Sequence, residues 1–220
     1  MSHTNYQYNP PPHTGLDILY IDSDLIIINK PSGLLSVPGR GEDKKDCMIS
    51  RITQEYPEAL TVHRLDMETS GILIIARNEK SQSAMGKIFQ SRNIKKQYIA
   101  LVDGILKENN GVIDLPLIAD WPNRPKQKVD LINGKPSTTH YEVIQSTESE
   151  SRIKLTPITG RSHQLRVHML AIGHPILGDR LYASQHIIDK ADRLLLHANF
   201  ISFNHPLTHD EITINCPEPY

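Results

Sequence analysis

Short runs in which apolar and polar residues alternate with period two are the feature that most limits the fold of this 220-residue chain. Such runs recur as KQYIALVDG, STTHYEVIQS, SRIKLTPI, LLLHANFISF and EITINC. This alternation is typical of half-buried antiparallel strands. Few strand–helix–strand repeats interrupt the runs, which argues against a doubly wound parallel sheet. We therefore predict an α+β fold in which helices and loops flank a large, mainly antiparallel sheet.

Several other stretches predict individual elements. ILYIDSDLIIINKPSG predicts two short strands around a turn, and GILIIA predicts a buried strand. DCMISRITQEY predicts a helix with Asp46 as its N-cap, and EKSQSAMGKIFQS predicts a second helix that packs on the core. SHQLRVHMLAIG predicts a third helix, capped by Ser162. PLIADWPNRPKQKVDLINGKPS is predicted to be irregular, and a segment of that length in a compact domain is usually functional or disordered.

Length and composition set the expected organisation. No repeat or low-complexity linker divides the chain, so we predict one catalytic domain over residues 16–220 after a flexible, Pro-rich arm at residues 1–15. The cysteines Cys47 and Cys216 form no disulfide framework, which fits a reducing, cytoplasmic compartment. The sequence has no signal-peptide pattern and no run long enough to span a membrane, so no membrane partner is expected.

The charges are unevenly distributed along the chain. The formal net charge is only −1, but the stretch 87–135 holds nine Lys or Arg against five Asp or Glu, whereas residues 1–66 hold six against nine. A local excess of positive charge can bind a polyanion even when the whole chain is nearly neutral. The charge balance therefore leaves a nucleic-acid partner open.

Motifs for several common chemistries are missing from the sequence. It contains no Gly-rich phosphate loop, no G-x-S-x-G elbow and no H-E-x-x-H. His163 and His168 are five residues apart, without cysteines or carboxylates at metal-ligand spacing. We therefore predict neither a metal site nor a nucleotide cofactor.

Three segments could carry chemistry: HRLDMETSG, KKQYIALVDG and GRSHQLRVHMLAIGHPILGD. Within the third, Arg166 lies in an otherwise apolar helix and needs an anionic partner, because an unpaired buried charge is costly. Asp66 is the leading candidate for that partner, and Asp179 is an alternative closer in sequence. Taken alone, Asp66 and Arg64 could also form a surface ion pair, and Tyr98 could be an ordinary half-buried strand residue.

These three segments, together with LLLHA, resemble the signature blocks of the RluA family of pseudouridine synthases, and the match runs from about residue 18 to the C-terminus. The resemblance implies a pseudouridine-synthase catalytic domain that needs no cofactor. It also implies that the S4-like RNA-binding domain of several members is missing. DWPNRPKQK and NGKPSTT resemble members that modify both 23S ribosomal RNA and a transfer-RNA anticodon stem-loop. RNA is therefore the expected partner, and a monomer is expected.

The resemblance also implies roles for individual residues. Asp66 is the essential carboxylate, and attack on C1′, attack on the base and removal of a sugar proton all stay open. Arg166 offsets the negative charge of that carboxylate, and Tyr98 stacks on the target base and helps to remove the proton from C5. Because the base must leave its stack, Arg64 is expected to enter the RNA. Further residues are expected to contact RNA, with one of them, Leu195, as an apolar wall: Arg161, His163, Leu195, Trp121, Arg124, Lys126 and Lys128.

Two readings of another class compete with this one. A non-catalytic RNA-binding or ribosome-assembly factor with the same fold would be favoured if Asp66, Tyr98 or Arg166 were replaced, and all three residue types are present. An aspartate-nucleophile hydrolase of small molecules would depend on a metal, and we identify no metal-ligand spacing. The sequence therefore favours an enzyme that isomerises uridine in RNA.

Overall fold

The computed structural model describes residues 8–220, which fall into two compact units, one ending at Gly86 and the other formed by Lys87–Tyr220. The boundary lies within a helix, Glu79–Ser91. Within each unit, the strand pairings of the described residues are antiparallel. This confirms the predicted α+β class with mainly antiparallel sheet. The single-domain boundary at residues 16–220 stays a prediction, and residues 1–7 of the predicted arm lie outside the described residues.

The first unit is built on four short strands and a helix. They are β1 (Ile18–Ile21), β2 (Leu25–Lys30), α1 (Met48–Glu55), β3 (Leu60–Thr61) and β4 (Ser70–Ala76), followed by the start of α2 (Glu79–Ser91). Strand β2 pairs with both β1 and β4. Every residue of β4 is buried, which explains its continuous apolar run. The predicted strands and both helices are confirmed, whereas the two-residue β3 was not predicted.

Helix α1 begins differently from the prediction. Cys47, not Asp46, occupies the N-cap position, with an extended backbone at φ −160° and ψ 172°. Its backbone N–H donates to Ser50 Oγ over 2.9 Å. The Asp46 carboxylate instead accepts from Arg51 Nε over 2.8 Å and from Arg51 Nη2 over 2.7 Å. This bidentate contact lowers the pKa of Asp46 and explains why the carboxylate does not cap the helix.

The described part of the predicted arm contacts the first unit. Residues 8–17 form neither helix nor strand. Nevertheless, Tyr8 is only 8% exposed, and its hydroxyl donates to the Asp46 carbonyl over 2.9 Å. The Pro11 carbonyl accepts a hydrogen bond of 2.6 Å from Arg51 Nη2. Specific hydrogen bonds therefore hold Tyr8 to the residue before the N-cap of α1, and Pro11 to α1 itself.

The second unit contains a larger antiparallel sheet, a hairpin and two helices. Its elements are β5 (Ile94–Asp103), β6 (Asn110–Asp114), β7 (Leu117–Ala119), β8 (Gln127–Val129), β9 (Thr138–Ser146), β10 (Glu150–Pro157), α3 (Gln164–Ala171), α4 (Gln185–Ile188), β11 (Leu196–Asn204) and β12 (Glu211–Asn215). The sheet order is β12–β11–β5–β10–β9–β6. The five strands predicted here are confirmed, and β6 was not predicted.

The core of this unit lies where the sheet meets α3. Alternate residues of β10 are buried, as period-two patterning requires. They pack with apolar residues of β5, α3 and the start of β11 in one cluster, which includes Ala100, Ile153, Leu165, Met169 and Leu196. Helix α3 is thereby fixed against β5 and β10.

The segment 116–137, predicted to be irregular, instead contains a small antiparallel hairpin. Leu117 pairs with Val129 and Ala119 with Gln127, and a short 3-10 turn at Trp121–Asn123 lies between the two strands. The hairpin forms a separate two-stranded sheet, and a further bridge joins Leu117 to Lys135. Strands of three residues are too short to show a period-two pattern, which is why the sequence did not predict them.

The start of helix α3 also differs from the prediction. Its N-cap is His163, not Ser162, and His163 has the left-handed backbone at φ 53°. The next residue, Gln164, is buried, and its Oε1 accepts from Thr159 Oγ1 over 2.7 Å and from the Arg161 N–H over 3.0 Å. These bonds fix the turn that leads into the helix and take the place of a capping serine.

Two further features complete the fold. Both cysteines, Cys47 and Cys216, are buried. Among residues 8–220, no helix combines the length and the apolar character needed to cross a membrane.

Candidate active site

Asp66 lies in the first unit, in the segment 62–69 that connects β3 to β4. Its side chain is half-buried, Arg64 is exposed, and Leu65 is only 8% exposed. The Thr69 N–H donates to the Asp66 carbonyl over 3.2 Å, which closes a turn directly after the carboxylate. Asp66 therefore sits on a tight turn at the start of a buried strand.

A buried lysine holds this turn from the neighbouring segment. Lys30, the last residue of β2, is 0% exposed. Its Nζ donates to the carbonyls of Pro31 at 2.8 Å, Leu34 at 2.7 Å and Met67 at 3.0 Å. Hydrogen bonds from a charged donor are stronger than those between neutral groups. Lys30 thus links residues 31–34 to the residue that follows Asp66.

Hydroxyl and backbone groups of the same segment hold the residues around Asp66. Ser36 Oγ donates to the Leu65 carbonyl over 2.7 Å and accepts from the Leu65 N–H over 3.1 Å. Ser32 Oγ donates to the Glu68 carbonyl over 2.6 Å. The backbone is thus bonded on both sides of Asp66, so its position does not depend on a bound substrate.

Arg166 lies in the second unit, on α3, and is paired with Asp179. It is 3% exposed and Asp179 is 1% exposed. Arg166 Nε donates to Asp179 Oδ2 over 2.8 Å, and Nη2 donates to Oδ1 over 2.6 Å. Of the two carboxylates that the sequence offered, Asp179 is therefore a partner of Arg166. The role of Arg166 toward Asp66 stays a prediction.

Backbone groups hold the Asp179 carboxylate in turn. Its Oδ1 also accepts from the N–H groups of Leu181 at 3.0 Å and Tyr182 at 3.2 Å. The preceding Gly178 has φ 72°, and a Cβ there would lie 1.9 Å from the Arg193 carbonyl oxygen. Only glycine permits this close approach of two backbones. The position of the Asp179 carboxylate is therefore set by the backbone around it.

Tyr182 connects Arg166 to two other parts of the second unit. Its hydroxyl accepts from the Gln127 N–H over 2.8 Å and lies 2.6 Å from His163 Nδ1. Its ring lies under the Arg166 guanidinium, with 5.1 Å from Cζ to the ring centroid. Gln127 is the first residue of β8. The side chain of Tyr182 therefore contacts the hairpin, the start of α3 and the buried arginine.

Tyr98 and Leu195 line the sheet of the same unit. Tyr98 lies on β5 between Ala198 and Leu155 of the neighbouring strands, and it packs against the core cluster. Leu195 directly precedes β11 and is half-buried. Its backbone bonds to Leu177 and Leu101. Tyr98 is therefore held by sheet pairing, and Leu195 by two backbone hydrogen bonds next to the sheet.

Lys96 was not predicted as a site residue. It lies two positions before Tyr98, so the two side chains project from the same face of β5. It is half-buried, and its Nζ lies 5.9 Å from the ring centroid of Phe89. Burial lowers the pKa of Lys96. Desolvation destabilises the charged form of an amine, and a nearby anion would stabilise that form again.

The predicted RNA-binding residues of the hairpin are mostly exposed. Trp121 is 66% exposed, and the Arg124 guanidinium stacks 3.5 Å from its ring centroid. Lys128 is exposed and Lys126 is half-buried. Arg161, before α3, is exposed and donates to the Pro136 carbonyl over 3.3 Å. The structure therefore brings the basic residues to the surface, where phosphates could reach them.

Comparisons with known proteins give the family. The profile of the family described as RNA pseudouridylate synthase matches residues 24–171. The dual-specificity RNA pseudouridine synthase RluA of Escherichia coli strain K12 is 51% identical over 214 residues, covering 97% of this chain and 98% of the relative. The protein of that name from Vibrio parahaemolyticus is 51% identical over 208 residues, covering 92% and 83%.

Solved structures agree in fold. A human protein described as RNA pseudouridylate synthase domain containing 1 superposes with a TM-score of 0.79 at 27% identity, covering 96% of this chain and 87% of that one. A second human protein, domain containing 4, gives a TM-score of 0.74 at 26% identity, covering 92% and 88%. The predicted family, fold and enzyme class are confirmed: the chain belongs to the RluA family of RNA pseudouridine synthases and is an isomerase that acts on RNA.

Proposed function

We propose that this enzyme isomerises specific uridines to pseudouridine in both 23S ribosomal RNA and a transfer-RNA anticodon stem-loop, with Asp66 as its catalytic carboxylate. The observation that carries the assignment of Asp66 is its turn, whose neighbours on both sides are bonded to the segment 30–36. A preorganised carboxylate loses little free energy to reorganisation during reaction. The choice of two RNA classes follows relatives that are named dual-specificity enzymes and are 51% identical to this chain.

Each of the possible mechanisms of the reaction needs an ionised carboxylate. The bond between N1 and C1′ breaks, the base turns, C5 bonds to C1′, and the proton of C5 is lost while N1 gains one. Asp66 adds to C1′, adds to the base or takes a sugar proton, and its negative charge serves all three. We assign the offsetting positive charge to Arg166 and the stacking on the base to Tyr98.

The RNA itself would be held by the basic residues of the second unit. Phosphate contacts supply most of the affinity for RNA and make it dependent on salt. We assign such contacts to Arg161, Lys126 and Lys128. The exposed Trp121, stacked with Arg124, presents an aromatic surface of the kind on which unpaired bases stack. We expect Arg64, exposed beside Asp66, to fill the space that the flipped base leaves, with His163 and Leu195 as further contacts.

Two further properties belong to the proposal. We expect the enzyme to work in the cytoplasm, where its two buried cysteines stay reduced. We also expect it to act as a monomer. Gel filtration with light scattering would test the second point directly.

Release of tritium from C5 of uridine tests the assignment. Unmodified 23S ribosomal RNA and anticodon stem-loop transcripts carrying 5-tritiated uridine would be incubated with wild type, Asp66→Ala and Glu55→Ala. Glu55 is an exposed carboxylate of the same unit and serves as the control. We expect release from both RNAs by wild type and Glu55→Ala, and none by Asp66→Ala. Equal release by Asp66→Ala would overturn its role, and release from one RNA alone would overturn dual specificity.

A further inference from the structure

We propose that Tyr182 is a positioning residue that couples the β7–β8 hairpin to Arg166, so that RNA bound at the hairpin sets the orientation of the guanidinium. The proposal rests on the proposed function, because it takes Arg166 to act in the reaction and the hairpin to bind RNA. It adds a physical link between these two parts of the enzyme. No step of the isomerisation itself is assigned to Tyr182.

The hydroxyl of Tyr182 is the first part of the link. It accepts the N–H of Gln127 over 2.8 Å, and Gln127 lies between Lys126 and Lys128 in sequence. A backbone N–H moves with its strand, so a displacement of β8 changes the length and angle of the hydrogen bond to the Tyr182 hydroxyl. Hydrogen bonds weaken steeply with distance and angle, so a shift of about 1 Å would break this contact.

The ring and backbone of Tyr182 are the second part. The ring lies 5.1 Å below the Cζ of Arg166, where an aromatic face attracts a guanidinium. The backbone N–H of Tyr182 donates to Asp179 Oδ1, the oxygen that also accepts from Arg166 Nη2. Tyr182 thus touches the guanidinium directly and also contacts its carboxylate partner.

His163 braces the tyrosine from the other side. Its Nδ1 lies 2.6 Å from the hydroxyl, and the two rings meet edge to face at an interplanar angle of 84°. His163 is also the N-cap of α3, the helix that carries Arg166. With the hydroxyl bonded on two sides, the tyrosine ring cannot follow the guanidinium freely, so its position constrains that of Arg166.

Tyr182→Phe tests the link because it keeps the ring under Arg166 and removes only the hydroxyl. Steady-state rates of tritium release would be measured for this variant, for Lys128→Ala and for the double variant. Tyr141→Phe, which removes a hydroxyl from β9 of the same unit, is the matched control. We expect Tyr182→Phe to lower kcat by about tenfold and to change KM by less than about twofold, since the hydroxyl acts on positioning and not on binding.

The double variant separates coupling from a merely structural effect. If the hydroxyl transmits hairpin engagement, Lys128→Ala will lower kcat in the wild type but much less in the Tyr182→Phe background. Independent effects that multiply, or an unchanged kcat in Tyr182→Phe, would overturn the proposal. Arg166→Ala in the same assay distinguishes the two failures: if it retains activity, the role of Arg166 is wrong, and if it alone is inactive, only the coupling is wrong.

A second variant tests the same hydrogen bond in case Tyr182→Phe does not fold. Gln127→Pro removes the same hydrogen bond from the donor side and leaves Tyr182 intact. We expect the same selective loss of kcat. A Gln127→Pro enzyme with wild-type kcat and KM would overturn the link.

Discussion

Replacing Lys30 by Met should destabilise the enzyme and loosen the turn that carries Asp66. Met has a similar length and fills the same buried space, so the cavity term is small. What is lost is an ammonium group that donates to three carbonyls, at 2.8, 2.7 and 3.0 Å. The substitution therefore isolates the hydrogen bonds from the packing of the side chain.

The surroundings of the three carbonyls set the magnitude. The bond to Leu34 is buried, and a buried acceptor left without a donor costs about 1–3 kcal/mol. The bonds to Pro31 and Met67 are part-buried, so water can replace them at about 0.5–1 kcal/mol each. Relief from burying a charge offsets part of the sum. We expect a net loss of about 2–4 kcal/mol, or roughly 5–15 °C in Tm for a chain of this size.

Urea unfolding followed by circular dichroism would measure this loss, with Lys80→Met as control. Lys80 is exposed on α2 in the same unit, so its replacement should change stability by no more than about 0.5 kcal/mol. Tritium release by Lys30→Met, measured below its Tm, should also fall, because the Met67 carbonyl loses the ammonium donor and keeps only the Gly33 N–H. A destabilisation below about 1 kcal/mol together with wild-type activity would refute the reasoning.

Three further outcomes are expected. Gly178→Ala should lower the free energy of unfolding by several kcal/mol more than Gly173→Ala, measured by thermal unfolding. Both glycines have positive φ, but of these two only Gly178 would place a Cβ 1.9 Å from the Arg193 carbonyl oxygen. Equal losses of stability would contradict this. Burial lowers the pKa of His168 below 6.5, so the unfolded state takes up its proton first as the pH falls, and stability should decline below about pH 6.5. A stability–pH curve no flatter for His168→Gln than for wild type would count against that assignment. Lys128→Ala should weaken RNA binding and reduce the slope of log Kd against log salt by about one, and an unchanged slope would exclude a phosphate contact.

The strands of the second unit could be predicted because burial of one face requires apolar and polar residues to alternate along the strand. Strand β10, with every second residue buried, is the clearest case. The hairpin was missed because strands of three residues carry too little pattern, and its further contacts, the Leu117–Lys135 bridge and the bond to Tyr182, form only in the folded unit. The left-handed N-cap His163 was missed because bonds of the following Gln164 to residues outside the helix fix it.

The residue types of the candidate site could be predicted from the sequence, but the contacts between their side chains could be predicted less well. Asp66 and Arg166 were identified through the family resemblance, but sequence spacing could not decide between Asp66 and Asp179 as partners of the arginine. Lys30 was missed because lysine is rarely buried, so an apolar run that ends in Lys is ordinarily read as ending at the surface. Its three carbonyl acceptors come from residues that become neighbours only in the folded unit.

The separate ladder of the β7–β8 hairpin has a consequence for how substrate range can change. Its strands pair with each other and not with the sheet that carries Tyr98. Insertions or exchanges between residues 119 and 127 would therefore leave the register of β5, β9 and β10 untouched. If the hairpin contacts RNA as proposed, such changes could alter which RNAs are accepted while the catalytic residues stay in place, provided that the contact from residue 127 to Tyr182 is kept.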